Sequence, residues 1–364
     1  MKILYVITGL GGGGAEKVVA DMADQMYQRG HQVKIAYLKG EIVVRPKHHE
    51  IELIYLGLEG LNCFKHAYMN YKLLIQKFSP DVLHAHMVHA NIFSRLSRVF
   101  CPVRKLICTA HSNNEGGKLR MLAYKLTHSQ ADLTTNVSYS ASKCFEELGA
   151  VPRNGIKTIY NGIDLLRFNN KVATLDKKEK LNIDPITKMF LAVGRFHQAK
   201  DYPNLILAFS ILKNTLKPAV LPKLYIAGDG ELKNTINTMI IEHDLAQDVI
   251  LLGRRDDIPS LLVAADVFIL SSSFEGFGLV VAEAMACETF VIATDSGGVK
   301  EVMGGYGLLV APEESWALAN AMNEVLKMDQ LEIQQNNSNA LNHVRQNFDL
   351  EMIIDQWLEI YAEN

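Results

Sequence analysis

The sequence predicts an α/β chain of two doubly wound domains, each a parallel sheet covered by helices on both faces. Three observations carry that expectation. The chain has 364 residues, enough for two domains of ordinary size. It is 48% hydrophobic and 21% charged, which supplies real cores and excludes a disordered chain. Short, nearly continuous apolar runs alternate with amphipathic stretches, as strands buried on both faces alternate with crossover helices.

In the first half KILYVIT, QVKIAYL, IELIYL, DVLHAHM, KLICTAH, LTTNVS and IKTIYN read as strands. AEKVVADMADQMYQRG and HAYMNYKLLIQKF read as helices between them. In the second half KMFLAVG, KLYIAGD, DVILLG, DVFILS, TFVIAT and GLLVA read as strands. The polar stretch DLLRFNNKVATLDKKEKLNIDP has no strand pattern and reads as a linker. DLEMIIDQWLEIYAEN is an amphipathic helix with no strand after it. The expected domains are 1–168 and 169–348, followed by the helix 349–364.

MKILYVITGL is too short for a secretory signal and lacks a cleavage-like site, so it reads as a core strand. No run reaches the ~18 apolar residues of a membrane span. Cys63, Cys101, Cys108, Cys144 and Cys287 show no CxxC spacing, which argues against disulfides and zinc and fits a reducing cytoplasm. The net charge of −3 hides an asymmetry: residues 1–170 carry 21 Lys+Arg against 13 Asp+Glu, and residues 171–364 carry 16 against 27. Two halves of opposite sign suggest domains with different partners or reflect drift in surface composition.

In open parallel sheets ligands bind beyond the carboxyl ends of the strands, and the chemistry-bearing residues follow strands here. TGLGGGGAEKVV places Gly13 and Gly14 between a strand and a helix start, which is either a flexible turn or a place where helix-start amides meet a phosphate or substrate. It is neither a dinucleotide fingerprint nor a P-loop. GRFHQAKDYPNLI sets Arg195 and Lys200 on one loop, two cations able to clamp a diphosphate. EGFGLVVAE sets Glu275 before Gly276, Phe277, Gly278 and Leu279 at a helix start, with Glu283 inside the helix. Carboxylates accept from vicinal hydroxyls, so Glu283 suits a ribose and Glu275 a sugar. The bland alternatives are a loop carboxylate and a partner of the helix dipole. A glycosidase acid/base pair explains neither the cations nor the glycine loop. His84, His86, His89 and His111 follow or end strands. His84 and His86 lack a carboxylate or cysteine to complete a metal set and read as core or site-lining residues. His111 ends a strand before a polar loop and is the better site candidate. There is no DxD triplet, so a metal-bridged diphosphate lacks its usual carboxylates.

Together these motifs resemble the retaining GT-B glycosyltransferases of glycosyltransferase family 4, over nearly the whole chain. The most specific marks are E-x7-E, Glu275 to Glu283, and the pair Arg195 and Lys200. Weaker marks are Gly13-Gly14-Ala15-Glu16, NGID at 161–164, GDGE at 228–231 and TDSGGVKEV at 294–302. The resemblance implies two Rossmann-like domains facing across a cleft, with the last helix crossing back to the first. The second domain would bind a nucleotide sugar, UDP on family frequency, and the first would supply most of the acceptor site.

By match, Arg195 and Lys200 would hold the diphosphate and Glu283 the ribose. Glu275 and the amides of Gly276 to Leu279 would hold the sugar. His111 would lie near the reacting sugar, Gly13 and Gly14 by phosphate and acceptor, and Gly253-Arg254 by the base. The nucleotide sugar is then a substrate, with no cofactor and no metal. The acceptor would be a glycan or a lipid-linked oligosaccharide, with no nucleic-acid partner. Other classes left open are a sugar-nucleotide epimerase, a phosphorylase and a non-catalytic nucleotide-sugar-binding protein.

Residues 95–125 carry Arg95, Arg98, Arg104, Lys105, Lys118, Arg120 and Lys125 against Glu115 alone. GGKLRMLAYKLTH interleaves cations with apolar residues, a pattern that fits either an ordinary surface helix or peripheral contact with an anionic membrane face.

Overall fold

The computed structural model describes residues 1–113, 115–171, 187–219 and 221–363. It forms two compact units, Met1–Gly162 with Leu350–Asn364, and Ile163–Asp349. The first boundary falls at Gly162/Ile163, ahead of the expected 168/169. Its cause is local: the Ile163 N–H donates to the Phe348 carbonyl at 2.7 Å, and Ile163 bridges Asp349 in parallel. Those bonds tie Ile163 to the segment that ends the second unit. Most of the expected linker, 172–185, lies outside the described residues.

Unit 1 holds β1 (Lys2–Ile7), β2 (Gln32–Tyr37), β3 (Glu52–Tyr55), β4 (Val82–His86), β5 (Leu106–Ala110), β6 (Leu133–Asn136) and β7 (Lys157–Thr158). Their order is β3-β2-β1-β4-β5-β6-β7, and every pairing is parallel. Unit 2 holds β8 (Met189–Val193), β9 (Lys223–Ala227), β10 (Val249–Gly253), β11 (Val267–Leu270), β12 (Phe290–Thr294) and β13 (Leu308–Val310). Their order is β10-β9-β8-β11-β12-β13, again all parallel. Each apolar run of the sequence contains its strand. β4, β5 and β12 are buried at every position, as a sheet covered on both faces requires.

Helices cover the faces. α1 (Gly14–Gln28) buries Val18, Val19, Met22, Ala23 and Met26, spaced as one helical face, and α2 (Phe64–Phe78) buries Ala67, Tyr71, Leu74, Ile75 and Phe78. The helix Leu279–Ala286 is apolar almost all round and buries six consecutive residues, Val281 to Ala286. The last helix, Leu350–Ala362, sits in unit 1, where Ile353, Ile354, Trp357, Ile360 and Tyr361 are buried.

Strand order reverses between β1 and β4 in unit 1 and between β8 and β11 in unit 2. Such switch points open a crevice at the carboxyl ends, where doubly wound folds bind ligands. The loops that follow these four strands carry Gly13 and Gly14, Met87, Arg195 with Lys200, and Glu275.

Candidate active site

In unit 2 the loops after β8 and β11 are stitched together. The backbone N–H groups of Ser273 and Phe274 donate to the Ala199 carbonyl at 3.0 and 3.3 Å, and Ser271 Oγ donates to the Lys200 carbonyl at 2.8 Å. Between them Lys200 Nζ meets Glu275 Oε1 at 2.5 Å, and Ser272 Oγ donates to the same oxygen at 2.7 Å. The Glu275 side chain is 11% exposed and that of Lys200 26%. A carboxylate this withdrawn from water needs a cation, and Lys200 supplies it.

Arg195 is on the same loop with its side chain 61% exposed, and its NH2 lies 4.0 Å from Glu231 Oε1. A Cβ at Gly194 would stand 3.5 Å from Lys200 Cδ and Cε, so the lysine stem lies along the backbone just before Arg195. The helix Leu279–Ala286 starts behind Gly278 (φ 90°), where no side chain caps its amides. Glu283 is buried in that helix. Phe277 is buried edge-on against Phe348, at 5.3 Å between ring centroids. Arg254 is exposed, whereas Arg255 beside it is fixed by two bonds to Asp257, of 2.9 and 2.7 Å.

Unit 1 assembles a second group. Gly13 is the N-cap of α1 with no side-chain cap, and a Cβ there would stand 2.6 Å from Glu16 Oε2. The carboxylate of Glu16 therefore folds back over the helix start, where a negative charge is stabilised. His111 follows β5 and lines a pocket with His86, Thr109, Asn161 and Trp357. His86 Nδ1 and His111 Nε2 are 3.0 Å apart. Burial holds both imidazoles below the ordinary histidine range, His86 well below and His111 at about 4.

Glu115 Oε1 accepts the His111 N–H at 2.8 Å, and its carboxyl also accepts a backbone bond from Val88, the first residue of α3 (Val88–Arg98). Burial raises Glu115 to about 7 against those bonds and the nearby Arg120. His84 and His86 are both fully buried. Among the described residues no group of three or more His, Cys, Asp or Glu could hold a metal ion.

Sequence reasoning missed Glu115 and the pairing of His86 with His111. Glu115 looked like a lone acid in a basic segment, yet it fixes the backbone of a candidate residue. The His86–His111 pairing follows from β4 and β5 being neighbours in register, His86 opposite Thr109, which only the strand order discloses.

The basic segment needs a correction. Arg95 is fully buried: it donates to Thr134 Oγ1 at 2.7 Å and stacks 4.9 Å over the Tyr124 ring. Arg98 holds the Gln130 and Val103 carbonyls and pairs with Asp132, and Lys105 holds the Ile360 and Glu363 carbonyls. These three cations brace the fold instead of facing a partner. What remains outside is Arg104 and α4 (Lys118–Thr127), the helix with Leu119, Leu122 and Leu126 exposed on one face beside the exposed Lys118 and Lys125. No described helix is long and apolar enough to cross a membrane.

Two family models divide the chain between them: Glycosyltransferase Family 4 matches residues 12–167, and Glycosyl transferases group 1 matches residues 174–341. The chain is a family 4 glycosyltransferase of the GT-B fold. The glycosyltransferase is 26% identical to the N-acetyl-alpha-D-glucosaminyl L-malate synthase of Bacillus anthracis, over 96% of this chain and 94% of that protein. It is also 26% identical to the N-acetylgalactosamine-N,N'-diacetylbacillosaminyl-diphospho-undecaprenol 4-alpha-N-acetylgalactosaminyltransferase of Campylobacter jejuni, over 91% of each chain. Among solved structures, Anabaena Alr3699/HepE in complex with UDP-glucose shares the fold with a TM-score of 0.85 and 23% identity, over 100% of this chain and 99% of the other. The enzyme acts on nucleotide sugars.

Proposed function

We propose that the enzyme transfers a hexose from a UDP-sugar to a hydroxyl of a glycan or lipid-linked oligosaccharide, with retention of anomeric configuration, in cell-surface polysaccharide assembly at the cytoplasmic side. The observation that carries this is the Lys200–Glu275–Ser272 group at the unit 2 switch point, beside Arg195 and an uncapped helix start. A nucleoside diphosphate brings negative charge to that place. Lys200, with three N–H donors, then reaches the phosphates while still facing Glu275, and Glu275 becomes an acceptor for sugar hydroxyls. Glu283 takes the ribose, and Gly276 to Leu279 offer amides.

Cleaving the sugar–phosphate bond leaves charge on the diphosphate, and preorganised Arg195, Lys200 and the helix start stabilise it. The sugar becomes oxocarbenium-like. The acceptor oxygen bonds to the anomeric carbon on the face the phosphate leaves, and its proton passes to the departing phosphate oxygen. That route needs positioning more than a basic side chain. In this account no metal bridges the phosphates.

The two relatives name different acceptors, malate in one and a diphospho-undecaprenol-linked sugar in the other. The leucine face of α4 with Lys118 and Lys125 favours the lipid-linked class and a weak peripheral membrane contact.

The deciding experiment incubates the enzyme, stripped by a chelator, with UDP- and GDP-sugars, with and without lipid-linked and soluble acceptors. Products are read by mass spectrometry and the anomeric centre by NMR. An α-glycoside from an α-linked donor, formed only with acceptor, is expected. An isomerised donor formed without acceptor would show an epimerase instead. Activity that disappears on chelation and returns with magnesium or manganese would overturn the metal-free account.

A further inference from the structure

We infer that His86 is a positioning residue for the transfer: its Nδ1–H donates to His111 Nε2 and so fixes His111 as the tautomer that carries its proton on Nδ1. The catalytic part of this inference rests on the reading that places His111 near the reacting sugar, and on His111 donating a hydrogen bond to substrate there.

The geometry starts from the sheet. β4 and β5 are parallel neighbours with His86 opposite Thr109, so the rings of His86 and His111 leave adjacent strand ends at one edge. Their nitrogens are 3.0 Å apart, which requires one proton between them. Both rings are neutral, as burial dictates, so each carries a single proton. If His111 Nε2 held the shared proton, His86 would have to carry its own on Nε2. That atom is buried and has no hydrogen-bond partner among the described residues. A buried N–H without an acceptor is the rarer and costlier orphan. With the proton on His86 Nδ1, the orphan is only a lone pair.

The His86 ring is held from behind. It stacks on His84 at 4.0 Å between centroids and lies 5.8 Å from the Tyr5 ring. His84 is itself pinned at both nitrogens, with Nδ1 2.6 Å from Tyr361 Oη and Nε2 2.6 Å from Thr109 Oγ1. Thr109 Oγ1 continues to Thr135 Oγ1 at 2.7 Å. A chain of bonds thus runs from the last helix through β4 and β5 to β6. The backbone right after His86 is strained as well: Met87 has φ 72°, and its N–H donates to the Thr109 carbonyl at 3.1 Å. Strain in a non-glycine residue persists where the surroundings over-determine it, often beside functional groups.

The consequence is a neutral imidazole with a fixed donor. The other tautomer would present a lone pair on Nδ1, removing the bond to a substrate oxygen and replacing it with repulsion.

The test uses the full-length protein with 15N-labelled histidine. Two-bond 15N–1H correlation spectra report the tautomer without any substrate. Wild type should show His111 protonated at Nδ1. His86→Phe keeps an aromatic ring in the stack but removes the donor; it should move His111 toward the Nε2–H form and lower kcat about tenfold, the scale of one misdirected hydrogen bond, with donor KM within about twofold. His86→Asn can place an amide N–H near the lost Nδ1–H and should restore both tautomer and kcat. Melting curves establish that each variant folds. A wild-type His111 protonated at Nε2 would overturn the tautomer assignment and leave the family role of His111 standing. Full activity in His111→Ala would overturn that role, and with it the part of His86 in the transfer. An unchanged tautomer and kcat in a folded His86→Phe would overturn the positioning itself.

Discussion

Gly228→Ala should cripple donor binding without touching any charged group. The loops after β8, β9 and β10 are joined through backbone bonds. Gly194 N–H donates to Ala227 at 3.0 Å, Phe196 N–H to Asp229 at 2.9 Å, Leu232 N–H to Phe196 at 3.0 Å, and Gly228 N–H to Gly253 at 2.9 Å. The GDGE motif is therefore the brace beneath the loop that carries Arg195. A Cβ on Gly228 would fall 1.9 Å from the Gly194 carbonyl oxygen, and ordinary contact begins at 3.4 Å, so the Gly194–Arg195 backbone must retreat by the difference, about 1.5 Å.

Displacements near 1 Å at a reacting centre cost on the order of 100-fold, and overpacking costs about 1–3 kcal/mol of stability. The variant should fold with a lowered melting temperature. Its affinity for the nucleoside diphosphate by calorimetry, and its kcat/KM, should each fall by roughly 100-fold. A melting temperature that drops while diphosphate affinity stays within about twofold would refute the idea that this brace sets Arg195. Unchanged stability would refute the packing estimate itself.

Lys200→Ala and Glu283→Ala should each weaken nucleoside diphosphate binding by about 1.5–3 kcal/mol, the scale of a charge-assisted bond; unchanged calorimetric affinity in both would remove them from the donor site. Glu115 has a folded pKa of about 7, above its value of 4.5 outside the protein, so its stabilising contribution is full below the lower value and is lost as pH rises through 7. Glu115→Gln does not titrate, so its melting temperature should gain on wild type between pH 5 and 8, and a constant difference across that range would contradict the burial argument. Wild type should co-sediment with anionic vesicles at low salt and lose them as salt screens Lys118 and Lys125, and Leu119→Glu with Leu126→Glu should abolish the contact. Equal, negligible binding to anionic and neutral vesicles would leave the leucine face without a membrane role.

The sequence displayed the strands because parallel sheets demand continuous apolar runs, and it displayed the donor-site candidates because they lie within a few residues of strand ends. Arg195 and Lys200 share one loop, and Glu275 and Glu283 share one helix start, so local spacing was enough to group each pair. Residues grouped only by topology stayed hidden. Nothing along the chain ties His86 to His111, or Gly228 to Gly194; those contacts exist because β4 neighbours β5 and β8 neighbours β9. Charge counting failed for the same reason. Arg95 is one of seven cations in a basic stretch, but its place on α3 turns it inward onto Tyr124 and Thr134, where it shapes the core and offers nothing to a membrane. A composition reports how many charges a segment has, and only packing decides which of them meet solvent. The vesicle experiment therefore discriminates best when it targets Leu119 and Leu126, which the fold leaves outside, and leaves Arg95 alone: Arg95→Ala would weaken the protein whether or not it ever touches a lipid.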